Sequence, residues 1–264
     1  MKKLYVDTSF GQIHARVLAA DGETTAAPLI CLHPAPSSGL YFTTVMPMLN
    51  VGRQVIGPDY PGYGGSDALT ETPTISDYAA AMLELLDAMQ LKGAVDVLGF
   101  HTGCLVGTEM ALQNPGRIRR LLLCDVPYFD AAQRDGLKQK MAQPMPITSK
   151  LDSLTVPWDF NIASRIDTVP LPRAFELFAE HLRAGQNDYF GFSAAFSYDC
   201  ESRFAQLEAD VVLLATQSGL HEPTVNAQSV LPGARFVDVP EVTTAVFEHG
   251  ATAIAKRINE ALTS

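Results

Sequence analysis

The 264-residue chain reads as an α/β protein, a mostly parallel, doubly wound sheet carrying an inserted helical cap. Three observations carry that reading. Short apolar runs bounded by Gly and Pro alternate with helical stretches, at the pace of right-handed βαβ units. One run, Val95 to Gly99, stops at a tight turn and gives way at once to helix formers. From Val126 to about Gln206 the strand signal lapses, and prolines at 127, 144, 146, 157, 170 and 172 punctuate helical pieces. The expected division is a core of residues 1–125 and 207–264 with a helical cap, or lid, at 126–206.

Residues 2–9 and 12–19 are alternating or β-branched runs separated by Phe10-Gly11, which predicts a hairpin at the antiparallel edge of the sheet. Pro28 to His33 is a short apolar run suited to a strand buried on both faces. A helix is expected from about Gly39 to Asn50, with Pro47 a late break, and a strand from Arg53 to Asp59. Thr74-Ile75-Ser76-Asp77 opens an amphipathic helix reaching about Leu91, with a hydroxyl cap after Pro73. The strand and helix around Gly99 follow, then a strand from Arg119 to Asp125. Ala174 to Arg183 reads as helix within the cap. Beyond it come strand 210–216, helix 222–231, strand 234–239 and a final helix near 248–262.

Composition sets outer bounds. With 47% hydrophobic residues the chain can bury a large core. Nineteen basic against 29 acidic residues give a net charge of −10, and no dense Lys/Arg cluster occurs, so neither nucleic acid nor an anionic membrane is an expected partner. The basic start lacks the apolar run of a secretory signal, and no stretch approaches about 18 continuous apolar residues. A soluble, cytoplasmic protein is expected. Cys31, Cys104, Cys124 and Cys200 lie far apart without metal-ligand spacing and read as buried free thiols. Neither cofactor nor metal is expected, and the oligomeric state stays open, with a homodimer one option.

The chemistry centres on Gly99-Phe100-His101-Thr102-Gly103. A strand, a sharp turn and a helix in this layout make a G-x-Nuc-x-G nucleophile elbow, where small flanking residues let strand and helix approach and the central side chain is pushed out. Asp59-Tyr60-Pro61-Gly62-Tyr63-Gly64-Gly65-Ser66 is similar to a D-x-P-G-x-G-x-S turn, and His33-Pro34-Ala35-Pro36 stands where a His-Gly-x-Pro segment would. On these motifs the chain resembles the α/β-hydrolase superfamily over nearly its whole length, in a branch with His101 in place of the nucleophile. The turn is expected to be scaffold.

That resemblance implies an oxyanion hole built from the backbone amides of Ala35 and Thr102, and a loop propped by His33. It also marks departures. Leu220 stands near the place of the family's acid, and Thr243 or Thr244 near that of its base, with His249 about a turn too late. The candidate catalytic residues are therefore His101, Asp125 at the end of the neighbouring strand as the group that orients it, Ser38 (or Ser37) as a hydroxyl offered to the imidazole, and His249. Cys104, in the first turn of the elbow helix, is expected to be packed inside. His33, Trp158 and Tyr198 are candidate binding residues, the last two because the cap's rings suit an apolar pocket.

An imidazole with an ordinary pKa of about 6.5 can serve as general base or nucleophile at neutral pH. The expected function is an atypical hydrolase acting on a small apolar carbonyl compound, an ester, lactone or C–C bond. A retired scaffold that binds a ligand or partner, and a lyase or isomerase with His101 as base, are the alternatives.

Overall fold

The computed structural model describes residues 1–263. The amino-terminal runs form a hairpin of β1 (Lys2–Thr8) and β2 (Gly11–Leu18), turned at Gly11, whose φ of 91° is open to glycine and strained for L side chains. The remaining strands are β3 (Leu29–Leu32), β4 (Val55–Pro58), β5 (Val95–Phe100), β6 (Ile118–Cys124), β7 (Asp210–Thr216) and β8 (Arg235–Val239). They lie in the order β1-β2-β4-β3-β5-β6-β7-β8. Only the β1/β2 and β2/β4 pairs are antiparallel. Every residue of β3, β4 and β5 is buried, as befits strands covered on both faces.

Helices α1 (Met46–Leu49), α2 (Ile75–Ala88) and α3 (Thr102–Gln113) precede β6. The continuous helix expected over Gly39–Asn50 is replaced by a 3-10 turn at Gly39–Phe42 and the single turn α1. At the break, Thr43 turns its hydroxyl onto the Leu40 carbonyl; at the start, Gly39 packs against Gly57 so closely that a Cβ would strike the Gly57 carbonyl. At the start of α2, Thr74 and Asp77 form the reciprocal cap in which each side chain bonds the other's backbone N–H.

Between β6 and β7 lie α4 (Ala131–Met141), α5 (Thr155–Asn161), α6 (Leu171–Arg183), α7 (Phe190–Ser197) and α8 (Cys200–Phe204), with no strand among the described residues there. After β7 come α9 (His221–Asn226), shorter than the helix expected to reach Leu231 and finished by a 3-10 turn, and α10 (Ala251–Thr263). No helix among the described residues is long and apolar enough to cross a membrane.

Two apolar clusters sandwich the sheet. One joins Ile30, Val97 and Leu121 to Tyr78, Leu85 and Leu105; the other joins Leu98, Leu122 and Leu214 to Phe42, Phe247 and Ile254. The inserted helices are tied to this core by specific polar contacts. Arg173 on α6 donates to Glu248 at 2.8 Å and to the Leu40 carbonyl at 2.7 Å. Arg183 donates to the Gly64 carbonyl, while the Tyr63 hydroxyl donates to the Asp188 carbonyl and accepts from the Gly191 amide.

Candidate active site

In open α/β sheets ligands settle at the carboxyl ends of the strands, where the chain switches from winding one way to winding the other. Here β3 lies between β4 and β5, and the loops leaving β3 and β5 face each other across that switch. His101 leaves β5 with φ 50° and ψ −116°, a conformation costing on the order of 1–3 kcal/mol for a residue with a side chain. The flanking glycines are what make the turn possible. A Cβ at Gly99 would strike the Gly103 carbonyl, and one at Gly103 would strike the Leu32 carbonyl on β3.

The His101 ring packs at a 31° tilt against Phe100, with centroids 4.0 Å apart. Its Nε2 is sealed from solvent and makes no hydrogen bond. Burial drives the pKa of the imidazole down to about 4, the charge of Asp125 pulls it part of the way back, and Arg165 pushes it further down. The ring is neutral at physiological pH. A buried nitrogen without a partner costs about 1–3 kcal/mol and is rare enough to ask for a reason.

Asp125 begins beyond β6 directly beside the elbow, because Phe100 pairs with Cys124 and the His101 amide donates to the Cys124 carbonyl. Its carboxylate nevertheless does not orient the imidazole by a hydrogen bond, as the sequence had led one to expect. One oxygen accepts from the Thr216 amide at 2.9 Å, and the other from the hydroxyls of Thr216 at 2.6 Å and Ser218 at 2.9 Å. Asp125 ties β6 to β7 and reaches His101 only through its charge.

The loop after β3 is stiffened by His33. Its Nδ1 donates to the Pro34 carbonyl at 2.9 Å and its Nε2 accepts from the Tyr60 amide at 3.0 Å. These bonds require one neutral tautomer, and burial accordingly lowers its pKa to about 4. His33 is thus a buried brace within the loop, a correction to its place among the binding candidates. The Ala35 amide, candidate oxyanion donor, meets the Thr102 hydroxyl at a long 3.5 Å. Thr102 is the first residue of α3, where backbone amides lack intrahelical partners.

The D-x-P-G-x-G-x-S turn is organised by Asp59. Its buried carboxylate pairs with His14 and Arg16, each at 2.7 Å, and accepts from the amides of Gly39 and Gly65. Burial alone would raise its pKa, but the His14 bond, the Arg16 charge and the Gly65 amide together bring it below the ordinary range.

In front of His101 lies a cavity of about 50 Å³ lined by Pro34, Ala35, Ser37, Tyr41, Asn161 and Arg165, among others. Pro36 and Phe160 line both it and a neighbouring chamber of about 400 Å³ beneath the inserted helices. Arg165, Tyr41 and Asn161 went unnoticed in the sequence. Arg165 lies in the irregular, proline-punctuated stretch, and no periodicity or motif there singles it out.

Residues 27–161 match the family model described as the alpha/beta hydrolase fold, about half of the chain. The chain belongs to that family. It is 30% identical over 118 residues to a 2-hydroxy-6-oxo-2,4-heptadienoate hydrolase of Pseudomonas putida, covering 42% of this chain and 41% of that one. It is 31% identical over 133 residues to a haloalkane dehalogenase of Psychrobacter cryohalolentis, covering 48% and 44%. These matches span well under two thirds of the relatives' own lengths. In fold the likeness is complete: a hydrolase of Pseudomonas aeruginosa superposes with a TM-score of 0.80 over 99% of this chain and 98% of its own, at 21% identity.

Within this hydrolase fold several candidate residues lie elsewhere than expected. Ser38 is buried with its hydroxyl accepting from the Leu40 amide, so it caps the 3-10 turn and does not face the cavity; Ser37 lines the wall instead. His249 is exposed on the loop before α10. Trp158 is 40% exposed and packs edge-on against Phe175 and Phe178. Tyr198 donates to Glu109, which Arg203 also holds, and so it serves packing between α3 and the insert.

Cys104 is buried as expected, its thiol 3.3 Å from the Gly99 carbonyl and 3.2 Å from the Cys124 carbonyl, and burial raises its pKa well above the usual range. A fluorophosphonate probe is therefore expected to leave the protein unlabelled under conditions that label serine esterases, and iodoacetamide to react with Cys104 only slowly. Rapid stoichiometric labelling of Ser37 or Ser38, read by peptide mass spectrometry, would take the chemistry away from the imidazole.

Proposed function

We propose that this chain is an enzyme acting on a small carbonyl compound, an ester, a lactone or a C–C bond next to a carbonyl, with His101 as general base or nucleophile. The amides of Ala35 and Thr102 are the oxyanion donors. One observation carries the reading: the side chain that the elbow presents is a neutral imidazole lining a small cavity, with a buried nitrogen that nothing in the protein satisfies. In the hydrolytic version His101 takes a proton from water as its oxygen attacks the carbonyl carbon. Collapse of the tetrahedral intermediate expels the leaving group, which recovers that proton. The insert at 126–206 is read as a cap that keeps bulk water from this centre.

The second reading is a ligand-binding protein on the same scaffold. It is favoured by the commitment of Asp125 to Thr216 and Ser218, which leaves His101 without an orienting carboxylate. Proton abstraction without hydrolysis, as in a lyase or isomerase, would use the same base. Assay of the intact protein on a panel of p-nitrophenyl esters, lactones and β-dicarbonyl compounds separates these. Turnover is expected for at least one class, with the product identifying the reaction. Binding of panel members with no turnover of any would remove the enzyme reading.

A further inference from the structure

The cavity at His101 is lopsided in charge. Arg165 lines it and, among the described residues, has no carboxylate partner. Two carboxylates act on the neighbouring Tyr41 hydroxyl through their charge, and both are committed elsewhere. Glu248 is held by Arg173 and Thr44, and Asp125 by Thr216 and Ser218. The guanidinium rests over the Phe160 ring, 5.1 Å from its centroid. Its positive charge also acts on the Tyr41 hydroxyl, which lines the same cavity, and most of its five N–H donors stay unengaged.

A partly desolvated cation with spare donors is matched best by a carboxylate, which can accept two parallel bonds from the planar fork. Asn161 completes the wall. Its Nδ2 is used by the Pro157 carbonyl and by His181, so only its amide oxygen remains as an acceptor. The inner space of about 50 Å³ holds little more than one polar group, given a water's share of ~30 Å³ in the liquid. The neighbouring chamber, which shares Phe160 and Pro36 with it, is larger, at about 400 Å³, and is walled by Met141, Pro144, Met145, Val156 and Phe192.

We propose that the site takes an amphiphilic carboxylate: the acid group is met by Arg165 and Tyr41 beside His101, and the apolar remainder occupies the neighbouring chamber. This rests on the reading of the cavity as the active site and narrows its substrates to carbonyl compounds bearing an acid group. The pairing explains why a cation is kept at a centre whose other groups are neutral or buried.

Titration calorimetry with hexanoate and its neutral isostere hexanamide tests the assignment. Wild-type protein should bind hexanoate about 10-fold or more tighter than hexanamide, the scale of one charge-assisted hydrogen bond. Arg165→Gln should erase the preference, Tyr41→Phe should reduce it, and Arg165→Lys, which keeps the charge, should retain part of it and so separate loss of charge from misfolding. Equal affinities in the wild type, undetectable hexanoate binding, or a preference that survives Arg165→Gln would overturn the proposal. The readout is binding, so its failure is distinct from that of the catalytic reading. An acid preference without turnover of any panel compound leaves the site standing and removes the enzyme. Turnover of neutral esters undiminished in Arg165→Gln does the reverse.

Discussion

Replacing His101 by alanine is expected to lower kcat by roughly 10²-fold or more, the usual scale for a positioned general base, on any substrate the protein turns over, with a much smaller change in KM. The pH profile should carry the same signature. Burial, opposed by Asp125 and reinforced by Arg165, holds the imidazole's pKa near 4. Activity that needs the neutral ring therefore rises as pH climbs through about 4 and is flat across neutrality, in contrast to the rise near 6.5 that an ordinary histidine would give. His101→Ser restores a hydroxyl at the elbow without a base to activate it, because Leu220, Thr243 and Thr244 stand where its partners would be, so efficient esterase activity should not appear. Undiminished turnover in His101→Ala would exclude the imidazole and point to Ser37, the hydroxyl that lines the same wall.

The largest loss of stability is expected away from that imidazole. Asp59→Ala should destabilise the fold by about 3–5 kcal/mol, because it leaves the Arg16 guanidinium buried without its counter-charge. The amides of Gly39 and Gly65 lose their acceptor in the same step. Urea unfolding of the two proteins, compared at equal m-value, measures it; a loss under about 1 kcal/mol would mean that Arg16 finds a substitute, with Glu180, 3.7 Å away, the nearest. The carboxyl's pKa lies below its ordinary value in the folded state. Its contribution is therefore full at pH values above the unfolded carboxyl's range and is lost as pH falls through the lowered folded value.

The architecture could be read from local pattern because its strands are buried on both faces and its helices carry one apolar face. The strands leave short continuous apolar runs, as around Ile30, Val97 and Leu122, and the helices leave an apolar repeat near 3.6 residues. The elbow was legible for a different reason: Gly99 and Gly103 are demanded by backbone contacts that no larger residue permits. What stayed hidden depends on partners distant in the chain. Asp125 stood in the expected place, yet its bonds go to residues 91 and 93 positions later, and no spacing rule connects them. Ser38 and Ser37 are adjacent in sequence and alike in chemistry; only the direction of the 3-10 turn sends one to a cap and the other to the cavity. The rings of the insert suggested a pocket in the aggregate. Which of them face it is decided by helix rotation, and Trp158 and Tyr198 turned to other work while Phe160 took the wall.

Arg173 bridges α6 to Glu248 and to the Leu40 carbonyl, tying the inserted helices to the core beside the small space before His101. If a ligand enters only when these ties break, its entry waits for a thermally activated opening, a motion of the microsecond-to-millisecond class. Encounter becomes gated: as ligand concentration rises, the observed association rate levels off at the opening rate and no longer climbs in proportion. Under such gating, the strength of an arginine–glutamate pair that never touches the reacting atoms would act as a clock for the whole cycle.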